Sequence, residues 1–125
     1  MFFIKIKVKG TLKNLTENTE ELINTNGLIL SNEISYINND IKHKIILDNG
    51  KVILIRENKE FSHGITFEEN TTYSSEYYLK ESKYSIEFNI KTIKIINENN
   101  KIEITYKILE TDTVYNYILE VSDNL

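Results

Sequence analysis

Apolar and polar residues alternate along much of the chain, which is typical of strands that bury one face and expose the other. Near the N-terminus, Ile4, Ile6 and Val8 alternate with lysines. The same period of two returns over residues 84–90, 101–108 and 115–121. Short clusters of Asn, Asp and Glu separate these runs, and Asn and Asp tolerate the left-handed backbone of tight turns. The pattern predicts roughly eight to ten antiparallel strands.

Three local signals refine this prediction. The Asn49-Gly50 pair between two apolar runs favours a hairpin with a type I′ turn. Residues 18–24 form the one helical candidate, but their apolar content is thin, and a strand that begins near Thr19 is preferred. The strand from residue 84 changes its apolar phase from even to odd positions, which predicts a β-bulge near Thr92.

So many antiparallel strands must stack as two sheets or close on themselves. Short hairpin connections favour an up-and-down barrel over a Greek-key sandwich. Gly10, Gly27 and Gly64 lie inside predicted strands, where barrels place bends and bulges. We therefore predict an all-β fold with little or no helix, built as a single antiparallel barrel domain over residues 1–125.

The composition supports this fold and excludes several kinds of chemistry. The chain has 21 Ile and no Ala, which disfavours a helical bundle. It has no Cys, which excludes disulfides, a cysteine nucleophile and thiolate metal sites. The net charge is −4 and Arg56 is the only Arg, so we expect no nucleic-acid partner. The N-terminal apolar run is too short for a signal peptide, which predicts a cytoplasmic protein without a membrane partner.

Hairpin registers predict which side chains share the inner face. Two-residue turns at Asn49-Gly50 and Asn58-Lys59 and a three-residue loop over residues 68–70 define these registers. The resulting opposite pairs are Leu47–Val52, His43–Arg56, Arg56–Phe61, Leu54–His63, His63–Ser75 and Phe61–Tyr77. A slip of one residue would turn every apolar side chain outward, whereas these registers keep the apolar face together.

The predicted inner face collects the scarcest polar residues of the chain. Its candidate ligand-binding residues are Arg56, His43, His63, Tyr73, Ser75 and Tyr77. A polar cluster inside a small barrel can orient a ligand. The alternative is structural, with the Arg paired and each His or Tyr satisfied within the core. Most aromatic residues fall at positions predicted to face the core. Tyr36, Tyr78 and Tyr115 are predicted to lie nearer an edge of the sheet or the rim of the barrel.

Catalytic and metal sites find little support. Two histidines without a carboxylate on the same face make a poor metal site, so we expect no metal and no cofactor. The chain has no nucleophile elbow, metalloprotease motif or glycine-rich phosphate loop, and we expect no enzyme. A weaker alternative is a hydrolase or isomerase that uses His63 with Ser75 or Tyr77.

Several segments together resemble a known family. They are the hairpin Leu47–Val52 leading into Ile53–Arg56, the turn Phe67–Thr72, the long strand Ser85–Thr92 and the terminal strand Val114–Val121. In these segments the chain resembles the YwiB-like family of small bacterial proteins of unknown function. That family is assigned to the calycin-like, or lipocalin-like, β-barrel group. The resemblance implies a barrel in a bacterial cytoplasm and implies no established activity.

Two functions follow from these observations. The first is the binding of a small, partly apolar or anionic molecule at one end of the barrel, with Arg56 pairing with the anionic group. The second is a non-catalytic interaction or structural module with a packed lumen, which could form a homodimer. Apolar residues of both parities motivate the second function, and they are Ile53, Ile55, Ile93 and Ile95. An open cavity lined by Arg56 and the histidines favours the first function, and a solid core favours the second.

Overall fold

The computed structural model describes residues 3–123, which form ten strands and no helix. The strands are β1 (Ile4–Asn14), β2 (Thr19–Leu30), β3 (Glu33–Asn38), β4 (Ile41–Asp48), β5 (Lys51–Glu57), β6 (Phe61–Phe67), β7 (Thr72–Leu79), β8 (Tyr84–Glu98), β9 (Lys101–Ile108) and β10 (Thr113–Asp123). Each strand pairs antiparallel with its neighbours in sequence, and β1 pairs with β10 to close the barrel. The prediction of an up-and-down β-barrel is confirmed, as is the strand that begins at Thr19. The described residues form no helix that could cross a membrane.

The two ends of the barrel differ in what they carry. The turns after β1, β3, β5, β7 and β9 lie at one end, which we call the five-turn end. The other four turns lie at the opposite end, together with the start of β1 and the end of β10, and we call it the termini end. Most of the buried aliphatic core comes from the half of each strand nearer the termini end. Its most buried members are Ile6, Val8, Ile45, Ile104 and Leu119, and the buried Phe67 ring and the Ile90 side chain belong to the same core.

Two strand glycines mark close backbone approaches. A Cβ added at Gly10 would lie 1.9 Å from the Ile118 carbonyl oxygen of β10, and one at Gly27 would lie 2.5 Å from the Ser35 carbonyl oxygen. Gly64 has open space in the same position. None of these glycines lies at a bulge, because the register shift within the described ladders lies elsewhere, at Thr92/Lys94.

The β4–β5 turn agrees with its prediction, and the β5–β6 turn does not. Asn49 and Gly50 both have positive φ, 44° and 84°, as a type I′ turn requires. In the β5–β6 hairpin the two central residues are Lys59 and Glu60, one position later than predicted. Asn58 causes the shift, since its Oδ1 accepts hydrogen bonds from the backbone N–H groups of Glu60 (2.8 Å) and Phe61 (3.1 Å). Arg56 is consequently opposite His63, and not Phe61.

The β6–β7 register also differs by two residues from its prediction. His63 lies opposite Tyr77, and the ladder ends at Gly64–Glu76. The chain between the two strands turns toward β8, where the Thr92 carbonyl accepts from the Asn70 N–H (2.9 Å) and the Thr92 Oγ1 accepts from the Glu68 N–H (3.2 Å). This contact with β8 replaces the predicted three-residue loop. A shift of two residues preserves the face of every side chain, so the predicted inner face survives both errors.

The predicted bulge in β8 is confirmed. The register shifts between Thr92 and Lys94, and the Thr92 side chain is fully buried. Ile93 is 44% exposed on the outer face, whereas Ile95 packs against the core. The bulge therefore explains how β8 carries apolar residues of both parities.

The β10 backbone lies so close to Gly10 that a side chain at this position would interfere with the pairing of β1 and β10. We expect Gly10→Ala to lower the free energy of unfolding by about 2 kcal/mol or more, because its Cβ must push β10 away. Gly64→Ala is the matched control, with an expected change within about 1 kcal/mol, because a Cβ there has free space. Urea unfolding measures both variants, and equal destabilisation by the two would contradict the assigned role of Gly10.

Candidate functional site

A single row of inward-facing residues crosses five neighbouring strands. Each member lies directly opposite the next, in the order Tyr36, His43, Arg56, His63 and Tyr77. The row lies toward the five-turn end. The row contains four of the six predicted residues, Ser75 is hydrogen-bonded to one of them, and the structure confirms that His43 faces Arg56. The structure corrects the predicted position of Tyr36, because this side chain is only 3% exposed and lies inside the barrel, not at its rim.

Arg56 contributes a positive charge to this row. Its guanidinium lies 5.6 Å from the centre of the Phe61 ring, within reach of a cation–π interaction. Within residues 3–123, the three ion pairs all involve lysine, and no carboxylate lies within ion-pair distance of Arg56. The side chain is half-buried. The charge of Arg56 is therefore not neutralised by an ion pair in the part of the chain that the structure describes.

His43 is a neutral neighbour of Arg56. Its ring stacks on Tyr36 with centroids 4.5 Å apart, and its Nδ1 lies 3.0 Å from the Ile41 carbonyl oxygen. A carbonyl only accepts, so Nδ1 carries the proton. Burial, and then the charge of Arg56, lower the pKa of His43 from 6.5 to about 4.

His63 is also neutral, but it holds the opposite tautomer. Its Nε2 lies 2.7 Å from the Ser75 Oγ, and this hydroxyl donates its proton to the Gly64 carbonyl at 2.7 Å. Nε2 must therefore donate to Ser75, which leaves Nδ1 as an acceptor. Nδ1 is buried, and no described residue donates to it. Burial, and then Arg56, lower the pKa of His63 to about 4.

The pair His63–Ser75 is within hydrogen-bond distance but has the wrong polarity for a nucleophile and its base. The Ser75 proton is directed to Gly64, and His63 donates to Ser75 instead of accepting from it. Ser75 is 2% exposed and does not line the cavity described below. In this arrangement Ser75 orients His63.

Four tyrosines form two contacts at the row, and one of them, Tyr36, belongs to the row itself. The Tyr36 and Tyr117 hydroxyls are hydrogen-bonded to each other, and Tyr106 stacks on Tyr115 with centroids 5.3 Å apart. Burial raises the pKa of Tyr36 to about 12 and that of Tyr106 and Tyr117 well above 10. These phenols are therefore neutral at physiological pH, and they add hydroxyl groups without adding charge.

A cavity of about 420 Å³ opens beside the row at the five-turn end. Arg56 and His63 contribute its strongest polar groups, and most other lining residues are apolar or aromatic. These are Leu12, Ile65, Tyr77, Ile86, Phe88, Ile90, Tyr106, Ile108 and Tyr115. A recess of about 20 Å³ continues past Arg56 to His43 and Tyr117. The volume and lining are those of a small-molecule pocket.

The cavity opens where two strands separate. β8 begins at Tyr84 but pairs with β9 only from Ile90 onward, opposite Ile108. Residues 84–88 pair with β7 alone. Ile86 and Phe88 therefore line an opening that the barrel wall would otherwise cover.

Tyr73 is not part of the cluster, which corrects its predicted place. Its hydroxyl donates to Glu68 at 2.7 Å, and the Lys51 ammonium lies 5.9 Å from its ring centre. Glu68 lies in the β6–β7 turn and Lys51 begins β5, and both positions are at the termini end. The lining residues that the sequence prediction missed lie mainly on β1, β8, β9 and β10, for which no register was derived. Within residues 3–123, no three His, Asp or Glu side chains are grouped to hold a metal ion.

The fold and the site define a ten-stranded antiparallel up-and-down barrel with an opening at one end. A crystal structure of the YwiB protein from Bacillus subtilis is similar to it, with a TM-score of 0.71 over 98% of this chain and 92% of that chain. The two sequences are 18% identical, so this likeness concerns the fold. It agrees with the family resemblance of the sequence. No family model and no curated protein matches the chain.

The two buried histidines predict a loss of stability in acid. Their pKa is about 4 in the fold and 6.5 in the unfolded chain, so the unfolded chain binds protons first as the pH falls. Their contribution is complete above pH 6.5 and declines as the pH falls toward 4, by about 3 kcal/mol for each residue. Urea unfolding between pH 7 and pH 4.5 measures this loss. His43→Phe keeps the stack on Tyr36 and should show a smaller loss than the wild type. Identical pH dependence of the two proteins would contradict the prediction.

Proposed function

We propose that this protein binds a small, partly apolar anion in the cavity at the five-turn end. The observation that carries the proposal is Arg56, a half-buried guanidinium in the cavity wall without an ion-pair partner among the described residues. A guanidinium forms bidentate, charge-assisted hydrogen bonds with a carboxylate or phosphate. Such bonds are stronger where water is partly excluded, as beside Phe61 and Tyr77.

The surroundings of Arg56 favour a ligand with a single anionic group. His43 and His63 are neutral near pH 7, and the buried tyrosines are protonated, so Arg56 supplies the charge of this row. The row adds no second cation that could hold another charge, and the Glu21 carboxylate, which lines the small recess with Arg56 and His43, repels further negative charge. A monoanion is therefore the best electrostatic match.

The rest of the cavity favours an apolar body. Leu12, Ile86, Phe88 and Ile108 present aliphatic and aromatic surface to the same space. A volume of 420 Å³ holds on the order of a dozen non-hydrogen atoms, at about 30 Å³ for each group of water size. A medium-chain carboxylic acid or an aromatic acid meets both requirements.

Decanoate and 1-decanol test the anionic preference with nearly equal apolar bodies. We expect the wild-type protein to bind decanoate at least about tenfold more tightly than 1-decanol, because only the carboxylate pairs with Arg56. Arg56→Met should bring the ratio of the two affinities close to one. Lys59→Met is the matched control, since it removes an exposed cation from the β5–β6 turn at the same end. Isothermal titration calorimetry gives the affinities.

Two results would overturn the proposal. One is the absence of decanoate binding together with a panel of aromatic acids that also fail to bind. The other is an unchanged preference for decanoate in Arg56→Met, which would show that the anion lies elsewhere.

A homodimer is the second candidate, and its support is the outer face of β4 and β5. Ile46 lies opposite Ile53 on this face, and Ile55 follows two residues later. All three side chains are only partly buried by the chain itself. A second copy of the chain would cover this apolar stripe.

Sedimentation velocity tests the homodimer directly. We expect a concentration-dependent dimer that Ile53→Thr combined with Ile55→Thr shifts toward the monomer. Leu109→Thr is the control, because it removes a 43% exposed apolar side chain from the distant β9–β10 turn. A wild-type protein that remains monomeric at high concentration would exclude this candidate.

A further inference from the structure

His63 contains a hydrogen-bond acceptor that the anion proposal does not use. Its Nδ1 is buried and receives no hydrogen bond from residues 3–123. Buried polar atoms in native proteins are rarely left without a partner, because the loss of hydration is not repaid. His63 lines the cavity, so a molecule bound there lies against its ring and reaches the buried Nδ1 once a neighbouring side chain moves aside.

The neighbouring hydrogen bonds fix what this partner must be. The Gly64 carbonyl accepts a hydrogen bond from the Ser75 hydroxyl, and the Ser75 oxygen accepts one from the Nε2–H of His63. His63 Nδ1 therefore has a lone pair and no proton. The two ring nitrogens diverge, so Nδ1 faces away from Ser75. An anion alone cannot satisfy Nδ1, because a carboxylate only accepts. The partner must be an O–H or N–H group.

The register places His63 next to Arg56. Arg56 and His63 are directly opposite each other on β5 and β6, a relationship in which Cβ atoms lie about 5 Å apart. A ligand that pairs with Arg56 therefore presents the atoms nearest its anionic group to His63. The donor belongs on the carbon beside the acid, and not at the far end of the apolar body.

We propose that the ligand is an apolar acid with a hydroxyl or amide N–H donor on the carbon adjacent to its anionic group. Arg56 binds the anion, and His63 Nδ1 accepts the hydrogen bond from the donor. Ser75 acts as a positioning residue that holds His63 in the accepting tautomer. This inference rests on the proposed anion site and adds the class of acid that the site selects.

The competing partner for Nδ1 is Arg56 itself. Its guanidinium carries five N–H donors, and it is the adjacent member of the row. If the guanidinium rotates toward His63 in solution, Nδ1 is satisfied without a ligand. The experiment must therefore separate a donor on the ligand from the guanidinium.

The first test compares 2-hydroxydecanoate with decanoate by isothermal titration calorimetry. We expect the hydroxy acid to bind the wild-type protein about tenfold more tightly. His63→Phe should bring the ratio of the two affinities close to one, because Phe offers no acceptor. Ser75→Ala should also lower the ratio, because His63 is then free to move its proton from Nε2 to Nδ1.

The second test uses the wild-type protein and does not depend on the folding of any variant. Nitrogen-15 NMR of the imidazole rings reports whether an unprotonated nitrogen accepts a hydrogen bond. The His63 Nδ1 resonance should move upfield on addition of 2-hydroxydecanoate and remain in place on addition of decanoate. His43 is the internal control, because it does not line the main cavity.

The outcomes separate this inference from the proposed function. If neither acid binds, the anion site itself is wrong. If both bind equally and the His63 resonance remains in place, the anion site stands and the adjacent donor is overturned. A Nδ1 resonance that is already upfield without ligand, and that returns downfield in Arg56→Met, would identify Arg56 as the donor and overturn the inference.

Discussion

The ladder between β1 and β10 closes the sheet and turns one of its faces into an interior. It joins segments from opposite ends of the chain, from Ile6 opposite Asp123 to Asn14 opposite Tyr115. Gly10 allows the β10 backbone to pass where any side chain would collide with the Ile118 carbonyl. Until this ladder forms, the inward faces of the strands lie against water, and the entropy of closing so long a loop opposes it. The hydrogen bond between Tyr36 on β3 and Tyr117 on β10 joins residues 81 positions apart and exists only in the closed barrel.

Closure of the barrel also explains why the polar side chains of the row form hydrogen bonds within the protein. Inside a barrel, a polar group must find its partner within the protein or in a bound molecule. His43 uses a carbonyl two residues away, Tyr36 uses Tyr117 across the interior, and His63 uses Ser75. Burial then keeps these groups neutral. The charge of Arg56 remains without an ion-pair partner among residues 3–123, and Arg56 lines the cavity at the five-turn end.

The inner face was predictable from the sequence, whereas the registers beyond the first hairpin were not. The alternation of apolar residues determines which face of the sheet each side chain points to, and a register error of two positions does not change that face. The Asn49-Gly50 turn was recognisable because few residue pairs tolerate two positive φ values. The β5–β6 turn depended on the Asn58 side chain. The β6–β7 turn depended on the hydrogen bond between Asn70 and Thr92 of β8, which are distant in sequence. Tyr73 was misplaced because alternation gives the face of a residue and not its height in the barrel. The lining residues from the other strands depend on closure, which no local pattern shows.

The position of the opening follows from strand length and from one carboxylate. The ladder between β8 and β9 ends at Ile90, and just beyond it the Leu109 N–H donates to the Asn89 carbonyl. Glu110 then accepts from both the backbone N–H and the side-chain amide of Asn89, each at 2.7 Å, and these bonds lower the pKa of its carboxyl. The Glu110 carboxylate accepts the hydrogen bond from the Asn89 N–H that a longer β9 would have accepted. The edge of β8 before Asn89 is therefore left without a neighbouring strand on this side. Because backbone hydrogen bonds define this gap, the cavity is formed before any ligand arrives, and binding need not open the wall. The 62% exposed ring of Tyr84 and the 37% exposed side chain of Ile86 lie on this stretch, which pairs with β7 and not with β9. An apolar ligand body therefore meets exposed apolar surface first and the charge of Arg56 deeper in the barrel.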